Sequence, residues 1–247
     1  MSDVVKVDRH GAVTVFTINR PDKGNAISRA VAADMQAAFV EFDADAAQRV
    51  AVITGAGDRN FSAGADVTDL PELWRCIPTV GIQTEKPVIA ATSGWVVGGA
   101  MVMTMMADLC ISSESTKFYY PEAKLGFTGG IISGLAGRIP HKIAMEIIMM
   151  CKPMEAKRAY EVGLVNKLVP VGKQVEEAVA WGQELATFAP LVLSTIKRFV
   201  TQTVLPKGPS ELMGHAMVDL ERVRLSEDGQ EGGRAFREKR TPVFKGR

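Results

Sequence analysis

Cysteine, histidine and one-sided charge are all scarce in this chain of 247 residues. The three Cys, at 76, 110 and 151, have no CxxC spacing. That excludes a disulfide framework as the organising principle, and a zinc ribbon with it. The three His, at 10, 141 and 215, do not make a His-rich metal centre, so no metal site is expected. Lys plus Arg number 29 against 28 Asp plus Glu, a net charge of +1. This balance excludes a strongly basic nucleic-acid surface and a disordered acidic chain. Long hydrophobic runs are nearly absent. Residues 87–107 form an uncharged stretch of 21 residues, near the ~20 needed to span a bilayer. Thr92, Ser93 and Gly94, then Gly98 and Gly99, interrupt it. It reads as a short buried strand over 87–91 and a short buried helix from Gly98, not as a membrane span. The N-terminus is charged and has no apolar signal core, and unpaired Cys suit a reducing compartment. A cytoplasmic location follows as the expectation. No GxGxxG or GxxxxGK[ST] pattern marks a dinucleotide or P-loop site.

What is present is strand–helix alternation followed by helices. Val13 to Asn19, Val50 to Thr54, Pro87 to Ala91, Leu109 to Ser112 and Lys117 to Tyr120 read as short strands. Ser28 is placed to cap a helix in which Ile27, Val31, Met35, Phe39 and Phe42 recur at helical spacing. Beyond about residue 140, segments 140–150, 154–162, 172–188, 190–204 and 209–225 read as helices, with one extended run over 164–169. Gly208-Pro209 and Gly232-Gly233 read as punctuation. The pattern predicts an α/β core with a helical C-terminal module.

Two glycine-containing turns share a design. Residues 61–66 (Phe-Ser-Ala-Gly-Ala-Asp) and 93–100 (Ser-Gly-Trp-Val-Val-Gly-Gly-Ala) each follow a buried strand. Each is expected to lead into a helix start, where amides are unpaired and the dipole favours negative charge. Two converging amides form an oxyanion hole. By spacing alone, the plainer reading, glycines that close turns and let helices pack, is the stronger one.

These segments, in this order, carry a resemblance. Asn19-Arg20-Pro21 with Asn25-Ala26, the 61–66 segment, Lys86 to Ala90 with Gly98-Gly99, residues 159–169 and residues 236–245 together resemble the enoyl-CoA hydratase/isomerase (crotonase) family over nearly the whole chain. The resemblance implies a spiral of ββα repeats over 1–190, holding an acyl-CoA site, and a helical trimerisation region over 191–247. It implies a CoA thioester as substrate, no separate cofactor, and a homotrimer or dimer of trimers. The N–H groups of Ala65 and Gly99 would hold the thioester oxygen. Lys23 would touch a CoA phosphate, a contact suited to a flexible ammonium. Ala26, Ala63, Asp66 and Val67 would line the CoA site, the last three through adenine contacts of the backbone. Phe244 and Lys245 would pack near the adenine, and Trp95 beside the acyl or pantetheine channel.

The acid–base residues depart from the family pattern. Hydratases of the family place one glutamate three residues past the second oxyanion glycine. Here that residue is Val102, which cannot transfer a proton. The second glutamate, after a Pro on a later loop, is supplied by Glu122 of Tyr119-Tyr120-Pro121-Glu122. Another branch of the family places an Asp eight residues later, where this chain has Gly130, a residue expected to let the backbone approach the acyl chain. One carboxylate suffices to shuttle one proton between two carbons, as in a Δ3–Δ2 enoyl-CoA isomerase. Hydration would need a water-positioning partner, for which Tyr119, Tyr120, Asp69 and Glu72 are candidates. A catalytically silent acyl-CoA binder also remains open, as does a thioester or carbon–carbon hydrolase on the same scaffold.

Overall fold

The structure is a computed structural model that describes residues 3–247. The chain runs β1 (Val5–His10), β2 (Val13–Ile18), α1 (Arg29–Ala44), β3 (Val50–Gly55), β4 (Asn60–Ser62), β5 (Val88–Thr92), β6 (Trp95–Val97), α2 (Gly99–Met106), β7 (Leu109–Ser113) and β8 (Lys117–Tyr119). Then follow α3 (Glu122–Leu125), α4 (His141–Met150), β9 (Met154–Glu155), α5 (Ala156–Glu161), β10 (Lys167–Val169), α6 (Gln174–Leu185), α7 (Pro190–Phe199), α8 (Pro209–Leu225) and α9 (Glu227–Glu238). Short 3-10 helices occupy Leu73–Cys76 and Ile131–Gly137.

Six strands form one sheet in the order β1-β2-β3-β5-β7-β10, and four form a second in the order β4-β6-β8-β9. Apart from β1–β2 and β8–β9, all pairings are parallel. The pairs β3/β4, β5/β6 and β7/β8 each give their first strand to the large sheet and their second to the small one. The chain therefore advances by one strand in both sheets per repeat, which is the spiral that the sequence motifs imply.

The parallel strands are covered on both faces, so they read as continuous apolar runs. Every residue of β3 and β5 is buried. Phe16, Ile18, Ala51 and Ile53 point to one core with α1 and α2, where Phe16 stacks on Phe39 at 4.1 Å between ring centroids. Val13, Val15, Val50 and Val52 point to a second core under α6. Ser28 caps α1, its side chain accepting from the Val31 amide.

Strand β1 was not anticipated, since only Val5 and Val7 of it reach the core while Lys6, Asp8, Arg9 and His10 are exposed. Three expectations change. Gly232 and Gly233 lie inside α9, a helix with Ala235 as its buried residue. Segment 154–162 starts as strand β9 against β8 before turning helical. Segment 190–204 ends as a single π-helical turn over Val200–Val204. The uncharged stretch 87–107 divides into β5, β6 and the eight-residue α2. Among the described residues, no helix is long and apolar enough to cross a membrane.

Candidate active site

The two glycine turns meet. After β4, the Ser62 hydroxyl accepts from the Gly64 amide at 3.1 Å. Gly64 has φ +90°, and a Cβ there would lie 2.7 Å from Val97 O and 3.6 Å from Gly99 N. Only a residue without a side chain brings the backbone this close to the second turn.

Ala65 does not start a helix, contrary to expectation. It forms an isolated parallel bridge with Ile27. In that bridge Ile27 N donates to Gly64 O at 2.8 Å and Asp66 N donates to Ile27 O at 2.9 Å. The flanking residues make the bonds, so the Ala65 amide points to the opposite side of the strand. The second turn does start a helix. Gly98 N donates to Tyr119 O, and Gly98 O accepts from Met101 and Val102, which leaves the Gly99 amide outside the α2 ladder.

Glu122, the first residue of α3, is 7 % exposed. Its Oε2 accepts from the Gly129 amide at 3.1 Å and from the Tyr120 hydroxyl. The Tyr120 hydroxyl also hydrogen-bonds Thr128 Oγ1 at 3.1 Å, and that same oxygen accepts from the Gly130 amide at 3.1 Å. Burial, then the Glu122 contact, push the Tyr120 phenol above its usual range. The other carboxylate oxygen, Oε1, stands 3.9 Å from where a Cβ on Gly98 would be. One oxygen is thus anchored to its own loop while the other faces the second glycine turn. Val102, one turn into α2, is buried among Met101, Met103, Met105 and Met106.

The whole chain can be set beside known proteins on this geometry. Residues 8–247 match the model of the enoyl-CoA hydratase/isomerase family. The chain belongs to that family. It is 34 % identical over 263 aligned positions to a carnitinyl-CoA dehydratase of Salmonella typhi, covering 100 % of both chains. It superposes on a carnitinyl-CoA hydratase from Mycobacterium avium with TM-score 0.77 and 33 % identity, and on an enoyl-CoA hydratase from Mycobacterium tuberculosis H37Rv with TM-score 0.77 and 31 % identity. Both superpositions cover 100 % of each chain.

The remaining residues of interest to an enoyl-CoA hydratase/isomerase fall into two groups. Lys23 is exposed in the loop before Gly24, whose carbonyl accepts from the Ala63 amide at 2.9 Å, so Lys23 borders the first glycine turn. Ala26 is buried, and its carbonyl accepts from Arg20. The Asp66 amide is already engaged by Ile27, and its carboxylate takes Arg20 and Thr68, which hold it down at about 2. Ala63 and Val67 are exposed beside them. Trp95 is 36 % exposed, edge-on to Tyr119 with Lys117 over its ring. Gly130 packs against Ser210 of α8. Phe244 lies over Gly232, and Lys245 pairs with Glu227 and donates its amide to Asp228. The tail is thereby folded onto α9. Of the other proton-transfer candidates, Asp69 pairs with Arg29 and Glu72 with Arg75.

Asn25 carries weight that the sequence did not reveal. It adopts φ +56° and is 1 % exposed. Its side chain donates to Ala56 O and Asn60 O and accepts from the Arg20 amide. It ties the Lys23 loop to β4, and so to the first glycine turn. An Asn directly before the buried Ala26-Ile27 was the available signal, since Asn tolerates left-handed backbone.

Proposed function

We propose that the chain is an acyl-CoA enzyme that stabilises a thioester enolate with the Ala65 and Gly99 amides and moves a proton through Glu122, in the manner of a Δ3–Δ2 enoyl-CoA isomerase. The observation that carries this reading is the single anchored carboxylate facing the second glycine turn, with buried Val102 where a second carboxylate would be needed.

The chemistry follows from the geometry. Glu122 Oε1 takes a proton from the α carbon of a 3-enoyl-CoA. The C–H electron pair moves toward the thioester carbonyl, and negative charge collects on its oxygen. Preorganised amides stabilise that charge without reorganising during the reaction. Glu122 then returns the proton to the γ carbon, and the double bond moves from position 3 to position 2. Atoms and electrons balance with CoA as part of the substrate and no separate cofactor. Lys23, Ala63 and Val67 offer the CoA-facing rim. Exposed apolar residues on α7 and α8, among them Leu191, Ile196, Phe199, Leu220 and Val223, support assembly through 191–247 into a homotrimer or dimer of trimers.

A second reading is reversible hydration of an enoyl-CoA. The names of the related dehydratases and hydratases favour it, and Tyr120, in contact with Glu122, is the group available to help place a water. Incubation with 3-enoyl-CoA and 2-enoyl-CoA in deuterated water separates the readings. Isomerisation yields the shifted double bond with deuterium at carbon. Hydration yields a 3-hydroxyacyl product. Recovery of both substrates without deuterium would reject both readings and leave a silent binder.

A further inference from the structure

Two backbone amides of one turn reach the same oxygen of Glu122, one directly and one through two hydroxyls. The Gly129 amide donates to Glu122 Oε2 at 3.1 Å. The Gly130 amide donates to Thr128 Oγ1 at 3.1 Å, that hydroxyl meets the Tyr120 hydroxyl at 3.1 Å, and Tyr120 donates to Oε2. The direction of the hydrogens along the second route follows from the donors at hand. An ionised carboxylate only accepts, and a phenol has one hydrogen to give. With the Tyr120 hydrogen on Oε2, the contact between the two hydroxyls is made by the Thr128 hydrogen. Thr128 has it to spare, because the Gly130 amide occupies a lone pair of the same oxygen and leaves the hydrogen unspent. Each link therefore donates toward Glu122, and aligned donors of this kind polarise one another. Burial and then Glu122 raise the Tyr120 phenol, whereas Thr128 lowers it, as a donor to the phenol oxygen does.

The turn that carries Thr128 is itself held. Gly130 has φ +78°, and a Cβ there would run into Ser210 Oγ, so the backbone packs directly on the first turn of α8. Gly130 O accepts from the Ser133 amide at 3.1 Å, which ties the other side of the turn to the 3-10 helix that follows. Tyr120 belongs to the apolar core, while Thr128 is exposed. Packing thus sets the ring, and the hydroxyl hydrogen is the part left to be aimed.

We propose that Thr128 is a positioning residue: it aims the Tyr120 hydroxyl at Glu122 Oε2 and thereby keeps Oε1 as the oxygen that exchanges a proton with the substrate. The role in turnover rests on the proton-transfer reading of the site. The hydrogen bonds of Thr128 go to Tyr120 and Gly130, so it acts on Glu122 through the phenol, and its effect requires Tyr120.

The test is a double-mutant cycle of Thr128→Val and Tyr120→Phe, with Thr128→Ser as the conservative variant. Thr128→Val is expected to lower kcat about three- to tenfold with KM unchanged. Thr128→Ser is expected to restore kcat, and Thr128→Val to have no further effect once Tyr120 is Phe. A loss that persists in the Phe background, that Ser does not repair or that falls on KM would overturn the proposal, as would an unchanged kcat. Proton NMR of the full chain without substrate reads the same contact independently of turnover. The Tyr120 hydroxyl is expected as a slowly exchanging downfield resonance, absent in Tyr120→Phe, faster to exchange in Thr128→Val and recovered in Thr128→Ser. That pattern in a chain that turns over no enoyl-CoA would support the aiming of the hydroxyl and reject the proton-transfer reading alone. No such resonance in the parent, or one indifferent to Thr128, would overturn the proposal.

Discussion

The Tyr120 hydroxyl donates to the same Glu122 oxygen that receives the Gly129 amide. The consequence is an asymmetric carboxylate. Oε2 is held by two donors from its own loop, and Oε1 is directed at the turn that opens α2. With one carboxylate facing the turn, its orientation has to be set by its neighbours, and Tyr120 and the Gly129 amide do so together.

Replacing Glu122 by Gln should remove proton transfer while keeping the anchoring contacts of its loop. Loss of positioned general acid–base catalysis typically costs about 10²–10⁴ in rate. The expected result is a fall in kcat of that size with acyl-CoA affinity unchanged, read by steady-state kinetics and by calorimetry. Activity retained at the parental level would remove Glu122 from the mechanism.

Tyr120→Phe keeps the buried ring and deletes the donor. Hydrogen bonds to charged groups are worth about 1.5–3 kcal/mol, so kcat should fall by roughly ten- to a hundredfold as Glu122 loses its fixed rotamer. KM should change little, because the phenol's hydrogen bonds go to Glu122 and Thr128 of its own loop. A loss confined to thermal stability, with kcat intact, would make Tyr120 structural only.

Gly64→Ala tests the meeting of the two turns. The new Cβ would collide with Val97 O, 2.7 Å away, and it would sit at positive φ. Gly126→Ala is the control, since Gly126 has φ +68° with nothing within 4 Å of its Cβ position. The control should cost only the left-handed backbone penalty, about 1–2 kcal/mol. Gly64→Ala should lose more stability than this and also lose turnover, because the obstructed backbone displaces the Gly99 amide. Equal effects of the two substitutions in thermal unfolding and in kcat would show that the turns are independent.

Asp66 predicts a limb of the acid-stability profile. Hydrogen bonds from Thr68 and then Arg20 hold its carboxyl at about 2 in the folded chain, below its ordinary value of 3.8. A depressed folded pKa stabilises the fold above the ordinary value, and that contribution is lost as pH falls from near 4 toward 2. Asp66→Asn should flatten this part of the profile and leave the slope above pH ~5 unchanged. Chemical denaturation across that range, in parent and variant, provides the comparison.

How far the site was readable depends on the residue. Glu122 was singled out by the position after Pro121 that the resemblance implies, and the structure buries it with one oxygen toward the second glycine turn. Gly99 was found as the start of an apolar helix, and the structure places it there. Ala65 was expected at a helix start, and its amide is oriented instead by pairing with Ile27, a residue far earlier in the chain that no local pattern marks as its partner. Trp95 was expected beside the acyl or pantetheine channel or in the core; it is exposed, edge-on to Tyr119 with Lys117 over its ring, and so is not a core residue. Its neighbours come from β8, a strand remote in sequence.

Local sequence was enough to show the strands β2, β3, β5, β7 and β8, the capped helix α1 and the apolar α2, because apolar periodicity and glycine placement act over a few residues; the short strands β4 and β6 were hidden in the glycine turns. What faces what is set by the folded chain: Gly64 on Val97, Tyr120 on Glu122, Arg75 on Glu221. These relationships arise from the packing of segments distant in the chain, where close approach and the pairing of buried polar groups are settled by neighbours that local sequence does not name.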